Sequence, residues 1–220
     1  MIALLAVTSM FTAQAQEKPI SSVEFVLAEH AADAQFVSKQ NSARWTIVTE
    51  SRLEGRAQTD FTSRTVMEFG PNGSRRRSSE STFGGKSLKN EIAIKVGDKN
   101  YLRIGDKSWK EAAIDKNCDL AKETKEVSEL RVAYKYLGSG VFDGRKARRY
   151  LRSSSREETD KATGAVSRIE DSTSYWFGEN GDYYRSEYHS VTKTGIKVSH
   201  TNITIEKQLD PSISIDAPGM

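Results

Sequence analysis

The sequence contains one cysteine, Cys118, in 220 residues. A lone cysteine cannot close an internal disulfide, so no disulfide framework holds this chain. In Lys116-Asn117-Cys118-Asp119 the lysine would favour a reactive thiolate and the aspartate would oppose it, and the residue reads as an incidental loop thiol. Histidine is scarce as well: His30, His189 and His200 are the only three. His30 lies on the apolar stripe of a predicted helix, where packing is its expected role. His189 and His200 fall on neighbouring predicted strands with no third ligand placed to join them, so no metal site is expected. The sequence has no Gly-x-Ser-x-Gly elbow, no glycine-rich dinucleotide loop after a strand and no Gly-Lys-Ser phosphate loop. Its carboxylates are scattered. These absences leave no catalytic constellation and no cofactor site, and the expectation is a protein that is not an enzyme. One-sided charge is also missing. Lys and Arg number 33, Asp and Glu 30, for a net charge of +3, without the strongly basic face a nucleic-acid partner requires. No apolar run reaches the roughly 20 residues a membrane-spanning helix needs.

What is present begins with an uncharged apolar segment, Met1 to Ala15, ending in Ala13-Gln14-Ala15. That is the small-x-small pattern of a signal-peptide cleavage site. Residues 1–15 are therefore expected to be a signal peptide and residues 16–220 a single β-rich domain. The destination is the periplasm or another exported compartment, the near-absence of cysteine favouring the periplasm.

Periodicity sets the element types. Val23, Leu27, His30, Ala34 and Val37 recur at steps of three and four, predicting an amphipathic helix over about 22–40. Ser21 and Glu24 form a capping box at its start. The period then drops to two. Strands are predicted at 44–54, 60–69 (Phe61, Thr65, Met67 and Phe69 on one face), 74–83, 92–96, 101–104, 108–110, 146–155, 166–177, 183–192 and 196–208. The segment 119–136 satisfies both periods and is predicted as a short helix over 119–129 and a strand over 131–137. Gly138, Gly140 and Gly144 suggest a loop between that strand and the next. Strands in steps of ten to fifteen residues with turn residues between them describe a meander. The fold class expected is α+β: a curved antiparallel sheet, or half-barrel, packed against one or two helices.

Aromatic residues concentrate around one hairpin, where Tyr175, Trp176, Phe177, Tyr183, Tyr184 and Tyr188 meet. Large rings line ligand pockets as well as cores. Trp45, Met67, Ile94, Trp176 and Ile203 are the expected liners of a concave apolar face. Arg75, Arg76, Arg77, Arg148 and Arg149 form the candidate basic patch for an acidic partner or an anionic lipid surface.

The segments Tyr136–Tyr150, Tyr175–Asp182, Arg185–Glu187 and Ile213–Pro218, with the leading signal and helix, together resemble the exported LolA-like superfamily of lipoprotein carriers and related lipid-binding proteins. That resemblance implies a half-barrel capped by helices, holding acyl chains on its concave side without covalent chemistry. It also implies a closing hydrophobic strand followed by Pro218. The expected function is thus an extracytoplasmic carrier or sensor of an acyl chain or lipoprotein. The alternative is a cell-envelope interaction protein that uses the basic patch at an acidic partner or a membrane surface.

Overall fold

The computed structural model describes residues 17–38, 42–55, 59–112, 125–142, 144–179 and 183–219. The expected signal peptide, Cys118 and the Asn180-Gly181 turn lie outside them. The chain forms β1 (Lys18–Ile20), α1 (Ser22–Ser38), β2 (Ala43–Leu53), β3 (Phe61–Phe69), β4 (Arg75–Phe83), β5 (Lys86–Ser87), β6 (Glu91–Val96), β7 (Lys99–Ile104), β8 (Lys110–Ala112), β9 (Lys125–Phe142), β10 (Arg145–Asp160), β11 (Val166–Gly178), β12 (Tyr183–Thr194) and β13 (Lys197–Leu209). They make one antiparallel sheet in the order β1-β9-β10-β11-β12-β13-β2-β3-β4-β6-β7-β8, with β5 beside β4. β1 and β8 do not pair with each other, so the sheet is open. With a single described helix beside this curved sheet, the protein is more all-β than the expected α+β.

The second helix is not found where it can be seen. Residues 125–129 belong to β9, and 113–124 lie outside the described residues. The period-two set Val132, Tyr134 and Tyr136 won because β10 offers β9 a full-length partner, from Arg145 opposite Phe142 to Asp160 opposite Lys125. The predicted loop at 138–144 is likewise mostly strand. Register slips by one residue where Arg149 faces Gly138 and Tyr150 faces Tyr136. Leu137 is the extra residue of this bulge, and Gly138 takes the left-handed φ of 96° beside it, a conformation side chains oppose.

The capping box forms as expected. The Ser21 amide donates to Glu24 Oε2 at 2.8 Å, and the Glu24 amide donates to Ser21 Oγ at 3.2 Å. That backbone hydrogen bond leads the causes holding the Glu24 carboxyl below its ordinary pKa. The buried stripe of α1 is not the predicted one. Val23 and Leu27 are each 65 % exposed and His30 is exposed, whereas Phe25 (3 %) and Ala32 (5 %) are buried. Two stripes competed, and the one with the largest ring prevailed. Phe25 stacks on Tyr134 at 4.9 Å and meets Tyr175 edge-on at 5.0 Å. Ala28 and Ala32, on the same side, let the helix lie close to the sheet.

Strand pairing assigns every side chain to one of two faces, since directly opposed residues share a face. The helix face carries Tyr150, Tyr175, Phe177 and Tyr184, which pack with Phe25 and Ala32. The opposite face carries Ile94 and Tyr101, covered by Ile213 and Ile215 of the C-terminal tail. We call it the tail face. The tail segment is irregular rather than the expected closing strand. Both faces carry hydroxyl pairs between strands, such as Thr62 with Thr82 and Thr65 with Ser79, each at 2.6 Å.

Candidate ligand site on the helix face

Helix α1 covers only part of its face. Under it, rings fill the space: Phe177 is fully buried and stacks on Tyr184 at 5.5 Å. Burial pushes the hydroxyls of Tyr150 and Tyr175 above their ordinary pKa. One cross-strand row starts in this packed region, at Phe177, and passes through Tyr184 and Lys207 to Trp45 and Met67. The row then leaves the cover of the helix. Lys207 marks the border, its Nζ 4.4 Å from the Tyr184 ring centre and 4.3 Å from that of Trp45.

Beyond that border is a hollow of about 620 Å³. Its apolar lining comes from Trp45, Met67, Phe69, Ala93 and Leu102, all on the helix face by register. Trp45 and Phe69 pack at 4.8 Å. Around this lining stand Arg75, Arg77 and Lys95, exposed and on the same face. Arg75 lies 5.7 Å over the Phe69 ring. A further property belongs to Trp45: its buried Nε1–H has no acceptor among the described residues. A buried donor left unmatched costs about 1–3 kcal/mol.

Of the five predicted liners, the structure unites Trp45, Met67 and Ile203 on one face, with Ile203 one strand from Trp45 and outside the hollow's lining. Ile94 and Trp176 are on the other face by register, although Ile94 is also among the residues bordering the hollow. Ile94 is 9 % exposed beneath the tail, and Trp176, 7 % exposed, packs with Ala147, Tyr183 and Phe142. The predicted basic patch is divided by the same alternation. Arg75 and Arg77 stand at the hollow, while Arg76 points to the tail face and pairs with Glu68. Glu68 is buried there and also accepts from Arg44 at 3.0 Å, and Arg44 reaches Asp210 at 3.1 Å. Arg148 shares the helix face with Phe177, and Arg149 lies on the tail face, 5.1 Å over the Trp176 ring. Consecutive arginines on a strand cannot form one patch. Sequence reading missed Ala93, Leu102 and Lys95 as neighbours of Trp45, because nothing in the sequence states the register that aligns β6 and β7 with β2.

Further along the helix face the lining becomes polar. Asp171, buried, accepts from Tyr188 Oη at 2.7 Å and from Ser154 Oγ at 3.5 Å, and it pairs with Arg156, which also holds Glu158 at 2.8 Å. Burial raises the Asp171 pKa, but hydrogen bonds from Ser190, Tyr188 and Arg156 and the Arg156 charge outweigh it, and the net shift is downward. On the tail face, His189 and His200 do approach, with ring centres 6.0 Å apart, and His189 Nδ1 is 2.7 Å from Asn202 Oδ1. No group of three potential metal ligands exists among the described residues. Nor is any described helix long and apolar enough to cross a membrane.

No family model matches the chain, and no curated protein matches it. Among solved structures, a LolA superfamily protein from Nitrosomonas europaea overlaps 88 % of this chain and 94 % of its own, at 10 % identity and a TM-score of 0.29. An S-type phycobiliprotein lyase from Guillardia theta overlaps 86 % of this chain and 98 % of its own, at 13 % identity and a TM-score of 0.27. The LolA-like group that the sequence resembles is thus also the group of the first structure. Both superpositions are loose.

Proposed function

We propose that the protein binds an acyl chain bearing an anionic head, as an exported carrier or sensor, without covalent chemistry. The observation that carries this reading is the hollow of about 620 Å³ beside α1. Its size falls within the roughly 300–1,000 Å³ typical of small-molecule sites. Trp45, Met67, Phe69 and Leu102 supply apolar contact, and each methylene moved there from water contributes about 0.8 kcal/mol. Arg75, Arg77 and Lys95 stand where a carboxylate or phosphate head would be held by charge-assisted hydrogen bonds.

The test uses a fatty acid brominated on its chain, which quenches a tryptophan it touches. Replacing Trp109 and Trp176 by Phe leaves Trp45 as the sole reporter. Saturable quenching at micromolar ligand supports the reading, and an unquenched Trp45 at solubility-limited ligand rejects it. Solvent extraction followed by mass spectrometry identifies any lipid that copurifies.

A further inference from the structure

Charge is not evenly spread along the strands. From Arg131 to Arg156 the sequence has eight Lys or Arg and one acid, Asp143. Two of these cations are occupied: Lys135 pairs with Glu17 at 3.0 Å, and Arg156 with Glu158 at 2.8 Å. Three others, Arg145, Lys146 and Arg149, flank the β9–β10 turn, are exposed, and have no carboxylate partner among the described residues. Two of the three are held in place by rings. Arg145 lies 5.0 Å over the Tyr183 ring and Arg149 5.1 Å over that of Trp176. A guanidinium stacked in this way has one flat side shielded and its N–H edge free to donate. Val141, opposite Lys146 on the helix face, is 71 % exposed; Arg145 and Arg149 are on the tail face, so it is the end of the strand pair, and not either face, that presents these groups together.

This turn occupies a particular end of the sheet. β10 begins where β11 ends and β12 begins, and continuing across the register, where β2 begins and β3 ends. Phe69 and Arg75 of the hollow are at that same end. Acids are exposed there too, among them Glu179, Asp98, Asp216 and Glu111, the last 3.7 Å from Lys99, and among the described residues none of them pairs with Arg145, Lys146 or Arg149. The opposite end carries the β10–β11 and β12–β13 turns.

We infer that the β9–β10 end of the molecule docks on an anionic lipid bilayer, with Arg145, Lys146 and Arg149 meeting headgroup phosphates and Val141 entering the interface. A protein docked this way brings the hollow to the surface that supplies or receives its ligand. The inference extends the acyl-chain reading but is measured apart from it.

Flotation with phosphatidylcholine vesicles, with and without phosphatidylglycerol, tests it. The protein is expected to float with the anionic vesicles alone, and to be released as salt rises. Arg145→Gln/Lys146→Gln/Arg149→Gln is expected to weaken binding about a hundredfold, from the usual worth of a basic residue near such a surface. Lys161→Gln/Lys193→Gln/Lys197→Gln, at the opposite end, is expected to bind as wild type does. Thermal melting and Trp45 quenching report whether the variants fold and keep the hollow. Should the first triple variant unfold, Val141→Asp and Lys146→Glu carry the test, because they leave the stacked guanidiniums in place. Equal affinity for neutral vesicles, or equal loss in both triple variants, overturns the inference. So does binding to soluble polyglutamate without binding to vesicles, which would assign this end to an acidic protein. Docking without quenching rejects the acyl-chain reading alone.

Discussion

Replacing Ala93 by Phe tests the hollow directly. Ala93 lies on β6 between Arg77 of β4 and Leu102 of β7 and lines the open space. A ring added there sits in the hollow, not in a packed core, so overpacking is avoided. Phe also suits a strand better than Ala does. Folding stability is therefore expected to hold, or to rise by up to about 1 kcal/mol, in urea unfolding followed by circular dichroism. Ligand binding responds in the other direction. A phenyl group takes the room of about four methylenes, a loss of about 3 kcal/mol and a factor near one hundred in Kd. Titration of brominated fatty acid against Trp45 fluorescence measures it. A Kd within threefold of wild type in a normally folded variant would refute the claim that acyl chains occupy this space.

Three further outcomes follow from the same geometry. Arg75→Gln/Arg77→Gln is expected to weaken a fatty acid about tenfold or more while leaving the matching fatty alcohol nearly unchanged, and equal effects on both ligands would exclude a headgroup role. Phe25→Ala removes the ring that joins α1 to Tyr134 and Tyr175; a loss of about 3–5 kcal/mol in urea unfolding is expected, and a loss below 1 kcal/mol would mean that the helix contributes little. Asp171 has a lowered pKa, so its stabilisation is complete above the ordinary carboxylate value near 4 and disappears as pH falls through the folded pKa. Asp171→Asn should therefore cost about 1–3 kcal/mol at pH 7 and clearly less at pH 3, and an equal cost at both values would refute the linkage.

Local chemistry was legible in the sequence, and long-range register was not. Ser21 and Glu24 announced the start of α1, and the alternation Phe61, Thr65, Met67 and Phe69 correctly placed two residues of the hollow. The helix stripe failed because Val23, Leu27 and Phe25 all offer apolar area, and only the aromatic floor of β9 and β11 decides between them. The helix predicted over 119–129 failed in its described part because pairing with β10 overrode a helical spacing that was locally sound. Trp176 and Phe177 are adjacent in sequence, yet one meets the tail-face rings and the other lies under α1. Alternation predicted that the hairpin rings divide between two faces and that Trp176 sits with Tyr183 or Tyr184, but not which face is concave, and Trp176 lies with Tyr183 on the tail face. Ile94 borders the hollow yet stands on the tail face by register, and the tail that covers it comes more than one hundred residues later, where its strand gives no sign of it.

The two outermost strands have a consequence for the sheet as a solute. Each is three residues long. β1 carries Lys18 and Pro19, and β8 begins with Lys110. A proline has no amide hydrogen to offer an incoming strand, and a lysine resists being buried against one. Stubs of this kind give another chain little to zip onto, but β1 covers the 18-residue β9 only from Tyr134 to Tyr136. The rest of that long strand has no partner on this side among the described residues, so β9 is where a second chain would add itself to the sheet.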